Sequence, residues 1–435
     1  MQPNEMDDVA VIGAGGAGIL AAIAAAREGA KTVLYERMKT PARKVAISGG
    51  GRCNFSNTLD PRQFVKLFGD KNANFLGNAL RILSNKELIA LLQKHGVEGQ
   101  VERNYRLYTK SGRGMDVVNA LINEFRAAGG RLITSARITS VRRDAEKNAY
   151  VLSGTFNDVE EQRLARTVIV CTGGLSYPVT GSTGDGYDWA RTVGHGVTRL
   201  RPALVGLAVE EQWTRKLQGL AWPDARVTLY AFGPDGKMPT GKALSTEHAE
   251  ILFTHFGLSG PAVIDTSNTY VASGLSRAQL CIDYFPSIQR DELDKQVLER
   301  FKQHPGRTVS RALEGLMPAR LLEHLEAQLG EDGKLPATRV PKAARLMLLD
   351  MLKNTRVTVT GTRGIEFGEV TAGGIELDQI DASTMESRLS PGLYFAGEIL
   401  DLTGRCGGFN LQAAFSTGYL AGQRAARKAR SRDPL

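Results

Sequence analysis

The stretch DVAVIGAGGAGILAAIAAAREGAKTVLYE, residues 8–36, decides the fold. DVAVI is a short apolar run of buried-strand type, and GAGGAG follows at once, with Gly13, Gly15 and Gly18 in GxGxxG spacing. ILAAIAAARE favours helix and ends at Gly29, and KTVLYE is a second apolar strand closing on Glu36. Strand, glycine turn, helix, strand and acid in this order form a dinucleotide-binding fingerprint. Gly13 permits the tight turn, Gly15 lets a pyrophosphate approach the backbone, and Gly18 lets the helix pack close to the strand. The helix N-terminus, with Ala14, Gly16 and Ala17 in the same turn, offers N–H groups and a partial positive charge to phosphates. Glu36 is expected to accept hydrogen bonds from the adenosine ribose hydroxyls. An acid there disfavours a 2′-phosphate, so FAD or NAD fits better than NADP.

At 435 residues the chain is longer than one core usually covers, which predicts about two or three domains. Apolar residues at 42% and charged residues at 23% are ordinary globular values, which argues for a compact fold. MQPNEMDD lacks an apolar signal region and the longest apolar helical run stops at Arg27, so neither secretion nor a membrane span is expected. Cys53, Cys171, Cys281 and Cys406 show no CxxC pairing, no cluster has metal-ligand spacing, and a reducing cytoplasm fits best. The net charge of +9 allows a polyanionic partner. Arg424, Arg427, Lys428, Arg430 and Arg432 contribute to it and read as a solvated helix end.

Along the chain, a helix is expected over Glu87–His95, capped by Ser84 or Asn85, and an amphipathic one over 114–130. RLITSARITSVRR, AYVLSG and TVIVCTGG read as strands, giving a parallel sheet with an antiparallel meander. After about Leu200 the segments VGLAVE, RVTLYAF before the turn GPDG, AEILFTHF and AQLCIDYF read as strands. Helical patterns dominate from Arg290 to Leu352, TRVTVTG and PGLYFAGE are strands again, and a last helix starts near Asn410. The expected class is α/β: a Rossmann-like FAD-binding domain built from both chain ends, 1–198 and 352–435. Residues 199–351 form an inserted β-barrel-like and helical domain that caps the site and selects the substrate.

SGGGRCN (48–54), preceded by Arg43-Lys44, resembles the signature of the YhiN/BaiN-like flavoproteins, a branch of the two-dinucleotide-binding-domain superfamily. CTGGLSYPVTGSTGDGY (171–187), FTHFGLSGPAV (253–263), TAGGI (371–375), TMESRLSPGLYFAGEILDLTG (384–404) and GGFNLQAAFSTG (407–418) are similar to the family's other blocks, in its order. The resemblance implies FAD. It places Gly397-Glu398 and Gly407-Gly408, with Phe409, Asn410 and Leu411 opening the last helix, at the ribityl, pyrophosphate and ring portions. Ser48, Gly49, Gly50, Gly51 and Asn54 would approach the ring or phosphates through backbone N–H groups. Arg43, Lys44 and Arg52 would neutralise pyrophosphate charge. Arg37, Ile138, Thr172, Gly173 and Gly174 are further expected cofactor contacts.

The family fixes the cofactor and leaves the substrate open. The favoured reading is a flavin reductase charged by NADH or NADPH, passing hydride from N5 to an activated C=C bond, with Cys53 as proton donor. Uridine in ribosomal RNA would suit the basic balance, including Arg199, Arg201, Arg215 and Lys216. A dioxygen-using oxidase of a small amine and a flavin-containing RNA-binding protein without turnover are the alternatives. Cys53 also reads as an inert packed thiol. His255, between two phenylalanines, reads as a core residue, Tyr177 as a residue of the substrate side, and a Cys53/Cys406 redox pair is a further option.

Overall fold

The computed structural model describes residues 6–233 and 241–431, which leaves most of the expected GPDG turn and Arg432 outside the described residues. The chain forms two compact units, Met1–Arg201 with Glu369–Leu435, and Pro202–Gly368.

In the first unit β1 (Asp7–Ile12), α1 (Gly16–Arg27) and β2 (Thr32–Tyr35) follow the order read from residues 8–36. β1 and β2 are parallel, with Val9 opposite Thr32 and Ile12 opposite Tyr35. Their side chains are apolar on both faces because both faces are covered, as parallel sheets require. α2 (Arg43–Ile47) leads into a three-stranded antiparallel sheet of β3 (Asn54–Asn57), β4 (Gly99–Val101) and β5 (Arg106–Thr109). The helix Asn85–Lys94 begins at Ser84 with a reciprocal capping box to Glu87, and a second amphipathic helix spans Gly114–Ala127.

β6 (Arg131–Ile133) extends the parallel sheet beyond β2, while β7 (Ala136–Asp144), β8 (Ala149–Phe156) and β9 (Val159–Val170) form the meander. All of these strands belong to one seven-stranded sheet, in which β9 joins the parallel part to the meander. The first half of β9 is exposed or half-buried and pairs with β8, and its buried last residues lie parallel to β1 and to the strand Leu393–Phe395. The sequence reading found only that second half, because VEEQRLAR is too polar to resemble a buried strand.

The last helix, Phe409–Arg430, packs along α1. A Cβ at Gly418 would collide with the Ala17 carbonyl and one at Gly422 with the Ala21 carbonyl, so the two backbones touch where each glycine meets the other helix. At the far end Arg427 donates to both Glu28 carboxylate oxygens at 3.0 and 2.8 Å, Arg430 donates to the Glu28 carbonyl, and Lys428 pairs with Glu386. These three cations of the tail therefore contact the sheet domain, with Arg427 and Arg430 still exposed to solvent, as the reading of a solvated helix end expects.

The second unit is a closed six-stranded antiparallel barrel. Its strands run Leu207–Val209, Gly257–Ser259, Ser245–Phe253, Ala221–Ala231, Ala278–Asp283 and Thr355–Thr362, and the last pairs with the first. Thr355–Thr362 was expected in the nucleotide domain, whose second segment was set to start at 352. Its residues pair on both sides inside the barrel, and the second boundary falls after Gly368. The helix Pro261–Ser273 was not foreseen: its polar and β-branched residues weaken the helical pattern, and Pro261 at the first turn is the one start signal. No helix among the described residues is long and apolar enough to cross a membrane.

Gly422→Val would set a branched side chain against the Ala21 carbonyl and is expected to lower stability by about 3 kcal/mol. Thermal unfolding checks this, and a variant melting with the native chain would contradict the close contact.

Candidate functional site

The glycine turn is built by exclusion. Gly13, at φ 96°, donates its N–H to the Tyr35 carbonyl at 2.8 Å, and a Cβ there would lie 2.6 Å from the Cys171 carbonyl oxygen. Gly18 sits directly on the Gly13 carbonyl. Gly15 differs, since a Cβ on it would meet nothing within 4 Å, so this backbone faces open space. No side chain caps α1 at Gly15, so the N–H groups of its first turn lack a capping acceptor.

Glu36 ends β2 in a buried position. Its Oε2 accepts from Ala14 N–H and its Oε1 from Met38 N–H, each at 2.8 Å. Burial raises its carboxyl above the usual range, against the pull of those two N–H groups. The Glu36 carbonyl accepts from Ala136 and the Met38 carbonyl from Ser135, so β7 starts beside the acid. Ile138, two residues on, is buried in the core and offers a ligand only its backbone. Arg37 is held by Asp185 at 3.1 Å and by Thr183.

The SGGGRC loop turns on left-handed backbone: Gly49, Gly50 and Gly51 lie at φ 56°, 69° and 86°, and Cys53 at 55°. Ser48 Oγ donates to the Val45 carbonyl at 2.8 Å, and Cys53 N–H closes the loop on the Ser48 carbonyl at 2.9 Å. Around Gly50 and Gly51 a Cβ would find open space, whereas Gly49 is packed on Tyr108 and Asn54.

The cations flanking this loop divide. Arg52, expected at the pyrophosphate, is committed elsewhere: it pairs with Glu102 at 2.6 Å and stacks over the Tyr108 ring at 4.1 Å. Lys44 Nζ lies 2.7 Å from Glu398 Oε2 and 2.6 Å from Ser176 Oγ, and Glu398 Oε1 also accepts from Ser176 Oγ and Thr371 N–H, each at 2.9 Å. Arg43, half-buried at the start of α2, has no hydrogen bond or ion pair among the described residues.

The C-terminal strand end completes the arrangement. Gly397, at φ 82°, leaves room for the Ala17 methyl, and its N–H donates to Thr417 Oγ1 at 3.0 Å. Gly408 lies against the Ser56 carbonyl, and Asn57 Nδ2 donates to the Gly407 carbonyl at 3.1 Å. Asn410 turns back to bond both N–H and C=O of Gly404, Phe409 is buried on Phe64, and Leu411 packs on the core edge. No side chain caps the Phe409–Arg430 helix at Gly408. Gly174 is pressed against Thr371 and Glu398, Gly173 is left-handed, and Thr172 Oγ1 is buried without a partner among the described residues.

Cys53 has no exposed surface. Burial pushes its thiol up to about 11, opposed by a bond to Ser48. A thiol so enclosed presents no face to a substrate, which agrees with the reading of Cys53 as an inert packed thiol and not with the proton-donor expectation. Cys406 is half-buried, and all four cysteines are free thiols, so no Cys53–Cys406 disulfide exists here. His255 is exposed at a turn, contrary to the core reading; Tyr177 is half-buried at φ 51°.

Sequence reasoning missed Glu369. It keeps exposed surface, yet burial raises its carboxyl above the usual range against the opposing pull of Arg106 and then Lys44. A single acid in GEVTAGGI carries no pattern by which to find it.

The residues fit a dinucleotide: open backbone at Gly15, Gly50 and Gly51, two uncapped helix N-termini, and Arg43, a half-buried cation lacking an anion. The family model described as HI0933-like protein Rossmann domain matches residues 7–424. The chain is 30% identical to a ribosomal RNA dihydrouridine synthase of Escherichia coli (strain K12), over 96% of this chain and 98% of that protein. It is also 30% identical to a 3-dehydro-bile acid delta(4,6)-reductase of Clostridium scindens, over 97% of this chain and 100% of that one. Among solved structures, a 3-ketosteroid-delta4-(5alpha)-dehydrogenase from Rhodococcus jostii RHA1 superposes with a TM-score of 0.56 at 15% identity, covering 98% of both chains. At that identity the likeness concerns the fold.

Alkylation of the native protein at about pH 8 is expected to label Cys406 well before Cys53, whose thiolate fraction is negligible there. Peptide mass spectrometry reads the order, and equal labelling would contradict the enclosure of Cys53.

Proposed function

The chain belongs to the HI0933-like family of flavoprotein oxidoreductases, and on that premise we propose that it reduces an activated C=C bond using FAD, with uridine of ribosomal RNA as substrate and NADH or NADPH as electron donor. One observation carries the reaction: two relatives aligned over nearly their whole length bear names that each describe saturation of a C=C bond conjugated to a carbonyl. The net charge of +9 suits a nucleic acid.

In this reading the Gly13–Gly18 turn and the α1 N-terminus cradle the diphosphate, Arg43 neutralises it, and Glu36 takes the ribose hydroxyls. The free N-terminus of the Phe409–Arg430 helix favours negative charge at the flavin ring. When bound, FAD supplies the hydride. The proton is assigned to the Glu369 carboxyl, which is exposed to solvent and whose pKa desolvation raises against the pull of Arg106 and Lys44. Lys44 is the positioning cation beside it, held by Glu398 and Ser176. Cys53 closes the glycine loop from below and takes no part in the chemistry.

Anaerobic mixing with NADH or NADPH, then with ribosomal RNA lacking dihydrouridine, tests the reading; flavin that is never reduced, or RNA left unchanged, would reject it. Glu369→Gln is expected to keep its flavin and to lose product formation about 100-fold or more. An acid must hold its proton, so the native rate should fall as pH rises through the Glu369 pKa, and the Gln variant should lack that limb. Cys53→Ala should turn over within a few-fold of the native chain. Loss of activity in Cys53→Ala with normal activity in Glu369→Gln would reverse the assignment.

A further inference from the structure

At one end of the barrel three segments converge. Arg363 follows the strand Thr355–Thr362 and donates its N–H to the Gly206 carbonyl at 3.2 Å. Gly206 opens the strand Leu207–Val209, which pairs with both Thr355–Thr362 and Gly257–Ser259. Phe256 sits in the turn before that last strand, and a Cβ at Gly206 would lie 2.6 Å from its ring, so the glycine is what makes room for the aromatic.

The Arg363 guanidinium carbon lies 3.3 Å from the centroid of Phe367 and 5.0 Å from that of Phe256. His255 meets the Phe256 ring edge-on at 5.1 Å and is itself exposed, and Phe367 is 44% exposed. At 3.3 Å the guanidinium lies flat on Phe367, which leaves its in-plane N–H groups to a ligand. No carboxylate takes them. Arg363 forms no side-chain hydrogen bond or ion pair among the described residues, and the nearby Glu366 folds back over Gly364 instead. A planar fork held still by a ring, half-buried and without an anion, is pre-organised for bidentate binding of an oxyanion.

We propose that Arg363, fixed against Phe367 and Phe256, is a phosphate-binding residue of the barrel unit, with the exposed ring of Phe367 as a stacking face for the base beside that phosphate. The carrier is the RNA of the preceding section, and only this identification rests on that reading. A nicotinamide dinucleotide carries the same group, so the test has two arms.

Arg363→Gln and Arg363→Lys would be compared with the native holoenzyme for binding of a ribosomal RNA fragment across a salt series, and for the KM of NADH and NADPH, with flavin content and melting temperature as controls. On RNA, Arg363→Gln should bind about 10-fold more weakly, and the slope of log K against log salt should shrink by about one. Arg363→Lys should restore the slope but not the full affinity, and Phe367→Ala should weaken RNA binding with the slope unchanged. A raised KM for the dinucleotide with RNA binding untouched would assign the phosphate to the electron donor. Unchanged values in both arms, even with a lowered melting temperature, would leave Arg363 a packing residue and overturn the proposal. A native chain that binds no RNA would sink the RNA reading alone, and the dinucleotide arm would then decide on Arg363.

Discussion

The contact on which the first unit depends is backbone against backbone: Gly418 and Gly422 of the last helix resting on the Ala17 and Ala21 carbonyls of α1. Side chains at those glycines would force the helices apart. Without them, a segment 401 residues downstream joins the first helix of the chain as closely as two helices can approach. Arg427 and Arg430 on Glu28 fix the same pair at its far end. The consequence reaches the site, because Gly397, which leaves room for the Ala17 methyl, is held against the first turn of α1, while the start of the last helix lies against Ser56 after the SGGGRC loop.

Charge is arranged on the same frame. Lys44 bridges to Glu398 and Ser176, which ties α2 to the strand end near the C-terminus; truncating Lys44 or Glu398 would leave a half-buried charge unpaired. Arg52, Arg37 and Lys44 each have acceptors of their own. Arg43 has none among the described residues, and it stands beside open glycine backbone. Two helix N-termini and one unpaired cation are the chemistry of a site for a diphosphate-containing ligand.

Residues 8–36 were legible because each signal there is local: strand, turn, helix and acid lie within one βαβ unit, and the glycine spacing has a steric cause the structure repeats at Gly13 and Gly18. Local signals also offered Ser84 or Asn85 as a cap, of which Ser84 is the one, and five of the six barrel strands, the short Gly257–Ser259 being missed. What failed depended on partners distant in sequence. Arg52 looked available because Glu102, 50 residues on, is brought to it only by β4 and β5 folding beside β3. Cys53 read both as a donor and as a packed thiol, because its polar and glycine neighbours in sequence do not show that the fold leaves it no exposed surface. Thr355–Thr362 was assigned to the wrong unit because strand periodicity does not say which sheet a strand joins. Glu369 and Arg363 carry no motif at all; their meaning lies in what surrounds them.

On the proposed reading, both chain ends build one FAD site in which Arg43 answers the diphosphate. Titration of flavin-free protein with FAD, followed by flavin absorbance and fluorescence in the native chain and in Arg43→Ala, tests it most directly. The account predicts one FAD per native chain and binding about 10- to 100-fold weaker in Arg43→Ala, since hydrogen bonds to a charged group contribute ~1.5–3 kcal/mol. A native chain that takes up no FAD, or an Arg43→Ala protein that binds it just as tightly, would contradict it.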